Sequence, residues 1–479
     1  MNISPSPAAA IERGRAAGIP LCWLALTAAL IAIKLAWLVA DHTPMLFLGD
    51  SESYLATALI GWIPPDRSFL YGFLLRPLVL MPGSLLPLIV VQSACNVVVA
   101  LLLAHLLVRA FATPQRIAFI VAIAWAALEP LALLYERYIM TETFALVAFA
   151  AFVQLSIRYL AEFRLRDLVM AQFAAAFVIA FRTVFVPISL VFAPVLPVLA
   201  WLKRSLPGGA HSRRRGLVLA LLVSIAATAF FHQTYKVANG RLLDDIPAYQ
   251  YADGLFLLAA WAPVLSVQDF ADRALGEVVI TRSGCKLSDR FSREEQRWYP
   301  GCIVDLVRHQ VGEQRANAVA RAVAFSALRR DPLGIANLAL ATWLDNFDPE
   351  RMHRALHWDR GERAPQSATV TLLRDRLGVV QAAELHQLAT PTNRWYFATF
   401  PWMMLIALSP FIALLALAAG PVGVRRNMVF VTLLCACITG ATAFGATGLV
   451  PRYLHALAWL TMIPLTVIGT RFVQAVRTF

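Results

Sequence analysis

Apolar residues in this chain fall in long unbroken runs, not in alternation or in narrow helical stripes. A helix needs about 20 mostly apolar residues to cross a bilayer. Ten runs approach that length, near 20–40, 85–108, 117–134, 138–158, 168–184, 185–202, 216–235, 397–418, 428–447 and 453–470. The fifth and sixth are nearly continuous, with Arg182 between them. The pattern predicts an all-α polytopic membrane protein of about ten transmembrane helices. The first run is too long for a signal-peptide core, and no small-residue cleavage site follows it, so it reads as a retained helix.

The pattern breaks once. Residues 236–396 carry 20 Lys/Arg and 19 Asp/Glu, enough polar chain for a modest domain. Ala316, Ala320, Val323 and Ala327 recur at helical spacing, Asp331-Pro332 ends that run, and 333–346 looks helical again. The expected organisation is therefore a membrane module over 1–235 with about seven spans, a mainly helical outer domain over 236–396, and a second module over 397–479 with about three spans.

Composition agrees: 59% of residues are hydrophobic and 15% charged. The net charge of +13 would suggest nucleic acid in a soluble protein, but here it follows the spans. With the N-terminus inside, the inner segments hold Arg13, Arg15, Arg109, Arg116, Arg158, Arg164, Arg166, Lys203, Arg204, Arg213, Arg214, Arg215, Arg425, Arg426, Arg471 and Arg477. The short outer segments hold only Arg67, Arg76, Arg137, Arg182 and Arg452. That asymmetry predicts both termini in the cytoplasm and 236–396 outside. The Pro207-Gly208-Gly209 loop with its basic run reads as a topology signal, and no nucleic-acid partner is expected. Four cysteines fall in apolar runs. Cys285 and Cys302 are the pair in the outer region, as a disulfide in an oxidising compartment such as a periplasm or as two free thiols.

Three clusters fall on the outer side. The first loop, about 41–84, contains Asp41, Gly49-Asp50-Ser51-Glu52-Ser53-Tyr54, Pro65-Asp66-Arg67 and Arg76. Asp50, Ser53 and Tyr54 share a face if the segment is helical. The plain alternative is an interfacial helix capped by Asp50 or Ser51, with Tyr54 and Trp62 as anchors. The second cluster is Glu136-Arg137-Tyr138-Ile139-Met140-Thr141-Glu142, with Glu142 expected about one turn inside the fourth span. It serves either a protein cavity or a helix-pinning ion pair of Arg137 with Glu136 or Glu142. The third is Pro451-Arg452-Tyr453-Leu454-His455, where the arginine can hold a lipid phosphate or anchor the interface.

A first span followed by an outer loop with an acidic motif ending in Tyr resembles the GT-C superfamily of integral-membrane glycosyltransferases. The Glu-Arg-Tyr-Ile-Met-Thr-Glu-Thr run, the late Pro-Arg-Tyr and the seven spans before a large outer region are similar too. The nearest branch is the dolichyl-phosphate-mannose protein mannosyltransferase-like, or family 39-like, group. Many of those enzymes carry adjacent acidic residues in the first loop, whereas Ser51 separates Asp50 from Glu52 here. The resemblance implies a polyprenyl-phosphate-linked sugar donor, a lipid, glycan or protein acceptor, and a multi-pass enzyme of a bacterial inner membrane with a periplasmic loop. It implies inverting attack with Asp50, or secondly Glu52, as base, and Arg67, Arg76, Arg137, Arg182, Arg452 and His455 around phosphate. Tyr54, Asp66 and Glu142 are further substrate-binding candidates. A divalent metal held through Asp50 is compatible with this chemistry, but the spacing does not imply one.

His353 and His357 with Asp359 have a possible metal spacing but read better as a solvated helix face, and Asp345–Glu350 as a turn. Two other functions compete. An O-antigen polymerase or ligase would place essential Arg and His in the large loop. A transporter or flippase would show repeats and broken helices, of which Pro187, Pro194 and Pro197 are the sole hint.

Overall fold

The computed structural model describes residues 20–47, 49–202, 210–359, 364–385 and 389–478. Among these the chain is helical throughout, with no named strand and one isolated bridge, Met45 to Tyr138. Arg13, Arg15, Lys203, Arg204 and the Pro207-Gly208-Gly209 turn lie outside the described residues, as do the side chains of Arg213 and Arg477.

The helices run α1 Leu21–Ala40, α2 Asp50–Ile60, α3 Phe69–Leu80, α4 Leu86–Ala110, α5 Gln115–Leu128, α6 Pro130–Tyr135, α7 Glu142–Glu162, α8 Leu165–Phe181, α9 Val186–Trp201 and α10 Ala210–Leu243. Then follow α11 Asp253–Ala260, α12 Arg273–Thr281, α13 Arg293–Trp298, α14 Ile303–Val311, α15 Glu313–Arg330, α16 Pro332–Leu344, α17 Pro349–Asp359 and α18 Ser367–Leu377. The chain ends with α19 Pro391–Ala398, α20 Phe400–Ala407, α21 Ser409–Ala419, α22 Arg425–Gly445 and α23 His455–Thr478.

Seven helical segments among the described residues are long and apolar enough to cross a membrane: Leu21–Ala40, Leu86–Ala110, Glu142–Glu162, Thr183–Trp201, Arg214–Leu243, Val422–Gly445 and Pro451–Val476. The pair α20 and α21 makes an eighth if its 61° bend is taken within one span. The remaining apolar runs are shorter as helices, for local reasons. The run near 117–134 is cut at Glu129, whose carboxylate accepts from Ala132 N, while Pro130 starts a new helix. The run near 168–184 stops at Arg182, leaving 17 helical residues in α8. The helix expected from 138 begins only at Glu142, because Met45 and the 137–139 backbone are hydrogen-bonded across the bridge at 2.8 and 3.0 Å. Glu142 is thus the first residue of α7 and not one turn within it. Pro194 and Pro197 lie inside a helix that continues through them.

Small residues let the apolar helices approach one another. Helices α7 and α8 pack together, with Ala150 of α7 and Ala171, Ala174 and Ala175 of α8 buried in the same core. The same core holds α4 against α5 and α7, α9 against α10, and α21 against α22 and α23. A buried charge network stands beside it. Lys34 of α1 bonds Glu136, which also accepts from Ser93 Oγ at 2.9 Å, Asn96 Nδ2 at 2.7 Å and Arg137 Nη1 at 3.0 Å. Arg137 Nε donates to the Asp41 carbonyl at 2.7 Å, and Asp41 Oδ2 accepts from Thr392 N.

In the polar region the stripe Ala316, Ala320, Val323 and Ala327 is fully buried along α15. Ala316, Ala320 and Val323 pack with Leu255, Leu258 and Ala259 of α11 and Ile303, Val304 and Val307 of α14, and Ala327 with Ala260, Trp261 and Ile335. Asp331 ends α15 and caps α16 through Gly334 N. A disulfide joins Cys285 to Cys302, Cα atoms 5.2 Å apart. Arg293 locks this region to the apolar helices. It is buried, and donates to the carbonyls of Ala260 and Ala446, both at 3.2 Å, and to Thr342 Oγ1 at 2.8 Å. Trp261 Nε1 also donates to Phe444 O at 2.8 Å.

Candidate functional site

The site starts from the turn into α2. Gly49 holds φ +71°, a left-handed conformation that glycine adopts without strain, and it sets the helix start. Asp50 is then the first helical residue, so neither it nor Ser51 is the cap. Ser51 Oγ instead accepts from Phe47 N at 2.8 Å and donates to Ile139 O at 2.9 Å, tying α2 to the 136–141 segment. The hairpin partner α3 comes close because Gly72 faces Thr57, where any Cβ would collide.

Asp50 lies between two guanidinium groups. Arg67 Nε donates to Oδ1 at 2.8 Å, and Nη2 lies 2.6 Å from the same oxygen. Arg452 Nη1 donates to Oδ2. Burial pushes the Asp50 pKa up, but Arg67 and then Arg452 outweigh it and hold the carboxyl well below the ordinary carboxylate range. Burial pushes Arg67 the other way, yet Asp50 and Asp66 keep its pKa above the usual value. Arg67 Nη1 also reaches Asp66 at 3.0 Å and Ser53 Oγ at 3.2 Å, so Asp66 serves as the outer partner of Arg67.

A second ion pair stands beside the first. Glu142 at the head of α7 bonds Arg182 just beyond α8. The Tyr453 ring lies between the two pairs, 5.0 Å from the Arg182 guanidinium and 5.5 Å from that of Arg452. These residues line a narrow pocket whose polar lining includes Glu142, Arg182, Arg452, Tyr453 and His455. All five lie at helix ends. Apolar lining comes from Leu146 and Phe149 of α7, Phe185, Ile188 of α9, and Ile438 of α22. His455 is 3% exposed, and its Nε2 is buried without a hydrogen-bond partner. The lining thus joins apolar side chains of three helices to two ion-paired arginines and an unpartnered ring nitrogen.

The other candidates separate from this cluster. Arg137 is fully buried, with Nη1 on Glu136 and Nε on the Asp41 carbonyl, so it braces the helix ends and does not line the pocket. The pinning pair in that segment is Glu136–Arg137, while Glu142 finds its partner 40 residues on. Arg76 is exposed on α3, away from the pocket lining. Glu52 Oε1 accepts from Gln366 N at 2.7 Å, which ties α2 to the chain before α18, so of these two carboxylates it is Asp50 that meets Arg67 and Arg452. Tyr54 turns inward, edge-on to Tyr71 at 4.9 Å. Burial, together with the charges of Asp50 and Glu142, pushes its hydroxyl well above the usual pKa. Trp62 stands exposed past the end of α2.

Sequence reasoning missed Arg297. It stacks over Phe256 at 3.5 Å and Trp298 at 4.2 Å; burial lowers its pKa, and the charges of Glu294, Asp50 and Arg452 act on it. Its place in a polar segment with near-balanced charge gave no hint of this.

The residues do not form a metal cradle. Both Asp50 oxygens face arginines, and no group of three His, Cys, Asp or Glu is poised for an ion among the described residues. His353 and His357 contact each other at 3.0 Å, and His357 stacks on Phe397. Asp345 accepts from Arg290 at 2.8 and 3.0 Å, and Asp348 caps the start of α17, so that segment is structural. No family model, curated protein or solved structure matches the chain.

Proposed function

We propose that this chain is a multi-pass membrane glycosyltransferase of the GT-C type, similar to the family 39-like branch. It transfers sugar from a polyprenyl-phosphate-linked donor to an acceptor on the extracytoplasmic face. Both termini then lie in the cytoplasm, the 236–396 region in the periplasm of a bacterial inner membrane, and α5 and α8 complete a set of about ten crossings. The observation that carries the reading is the pocket between helices whose lining joins apolar side chains to the polar group Arg182, Arg452, Glu142 and His455. One ion pair links that group to the first-loop Asp50.

In this reading the lipid chain lies along Leu146, Phe149, Ile188 and Ile438, and the phosphate meets Arg182 and Arg452. Asp50 takes the proton of the acceptor hydroxyl. The acceptor oxygen bonds to the anomeric carbon from the side opposite the phosphate. The carbon–oxygen bond to phosphate breaks with its electron pair leaving on the phosphate, and the configuration inverts. The arginines stabilise the charge that grows on the leaving group.

The test is to compare lipid-linked sugars and envelope glycans in cells with and without the protein. Accumulation of a polyprenyl-phosphate sugar with loss of one glycan modification is the expected result. Unchanged pools of both would overturn the proposal.

A further inference from the structure

Arg452 occupies two environments at once. It lines the pocket, and it donates to Asp50 Oδ2. No other arginine described here does both: Arg67 pairs with Asp50 away from the pocket lining, and Arg182 lines the pocket but pairs with Glu142. We propose that Arg452 is an exchange cation: a lipid-linked phosphate entering the pocket draws it off Asp50, and its departure makes Asp50 a competent base. This deepens the glycosyltransferase reading and rests on it.

The resting arrangement calls for such a step. A carboxylate whose two oxygens accept charge-assisted bonds from two guanidinium groups is a poor proton acceptor. The charged and titratable groups facing Asp50 are Arg67 from the α2–α3 loop, Arg452 ahead of α23, Arg297 of α13 at longer range, and Tyr54 one turn along α2. Of these, Arg452 is the cation that also lines the pocket. The Tyr453 ring, flanked by Arg182 and Arg452, gives a moving guanidinium a face to slide along. His455 Nε2, unpartnered in the same pocket, offers the arriving head group one more hydrogen-bonding atom.

The chemistry closes. With Arg452 on phosphate, Oδ2 is open to the acceptor O–H, whose proton it takes as the acceptor oxygen bonds to the anomeric carbon. The sugar–phosphate bond breaks onto phosphate, which leaves as a monoester held by Arg452 and Arg182. The base is thus weak when no donor is bound and strengthens when one is.

Linkage makes the step testable without turnover. Asp50 and phosphate compete for one cation, so each weakens the other's hold, and removing the Asp50 charge must tighten phosphate binding. The full-length protein in zwitterionic lipid nanodiscs is titrated with polyprenyl monophosphate, inorganic phosphate and polyprenol. For polyprenyl phosphate, Asp50→Asn is expected to lower Kd roughly tenfold, an ordinary coupling strength. Arg452→Gln should raise Kd and abolish the gain from Asp50→Asn. In the wild-type protein, carbodiimide labelling of Asp50 near pH 5 should rise severalfold with polyprenyl phosphate but not with polyprenol. Equal or weaker binding by Asp50→Asn, or unchanged labelling, overturns the exchange while leaving the functional reading intact. Inorganic phosphate binding as tightly as the lipid form overturns the lipid source. Absence of polyprenyl phosphate binding to wild type overturns the functional reading and the exchange together.

Discussion

Arg452 and Asp50 stand 402 positions apart in sequence, and the guanidinium of one donates to the carboxylate of the other. The contact closes the first loop onto the head of the last apolar helix.

Asp50→Asn is expected to abolish sugar transfer in proteoliposomes while membrane insertion and the folded yield stay near wild type. The substitution keeps the shape of the side chain and two hydrogen-bonding atoms. Near-normal turnover would remove Asp50 from the role of base.

The same residue predicts an acid limit on stability. Burial raises its pKa, but Arg67 and Arg452 dominate and bring the folded value below the ordinary 3.8. The folded state therefore prefers the ionised form. Its stabilisation is complete above about pH 4 and is lost as pH falls through the lower folded value. The melting-temperature gap between wild type and Asp50→Asn should be flat from pH 7 to 5 and shrink below about pH 4. A gap that widens on acidification would contradict the ion-pair account.

Arg182 and Arg76 should behave differently. Arg182→Ala removes a cation from the pocket lining, and transfer should fall by about 10²–10³, as when a donor to a developing oxyanion is lost. Arg76 is exposed on α3, and Arg76→Ala should change transfer by no more than about twofold. Rates measured side by side with one donor check both. Equal losses would show that the pocket does not distinguish them.

Glu136→Ala strips the carboxylate from Lys34 and Arg137, both buried. Removing one side of a buried pair costs on the order of 3–5 kcal/mol. The detergent-solubilised protein should lose its monodisperse peak or melt far below wild type. Wild-type behaviour would mean that the two cations find other partners.

Orientation is checked with single cysteines. Pro300→Cys should react with an impermeant maleimide added outside intact cells, and Ala210→Cys should react only after permeabilisation. The reverse pattern would invert the topology.

Much of the fold was legible because burial in apolar helices depends on local composition. The run 85–108 became α4, and the stripe Ala316, Ala320, Val323 and Ala327 became the buried face of α15. Partners of the charges were not legible, because a side chain's partner is set by tertiary approach. Arg137 reads in sequence like Arg182. One is enclosed by Glu136 and the Asp41 carbonyl, and the other faces a pocket, because only the first lies at the Met45–Tyr138 bridge. Asp50 and Glu52, two residues apart, read as first and second choice for one role. Their places on α2 send one to the arginines and the other to Gln366 N.

Lys34 stands near the middle of the second half of α1, in a helix long and apolar enough to cross a membrane, and its carboxylate partner lies 102 residues downstream. During synthesis the first helix is therefore made with an unmatched cation, and remains so until Glu136 has emerged. One lysine costs roughly 2.5–3.5 kcal/mol in a spanning helix, a cost that the leucines, isoleucines and valine of α1 outweigh. The later segment then offsets that cost by pairing the charge with Glu136, so the first helix and the bridge segment are joined by the one cation the first helix carries.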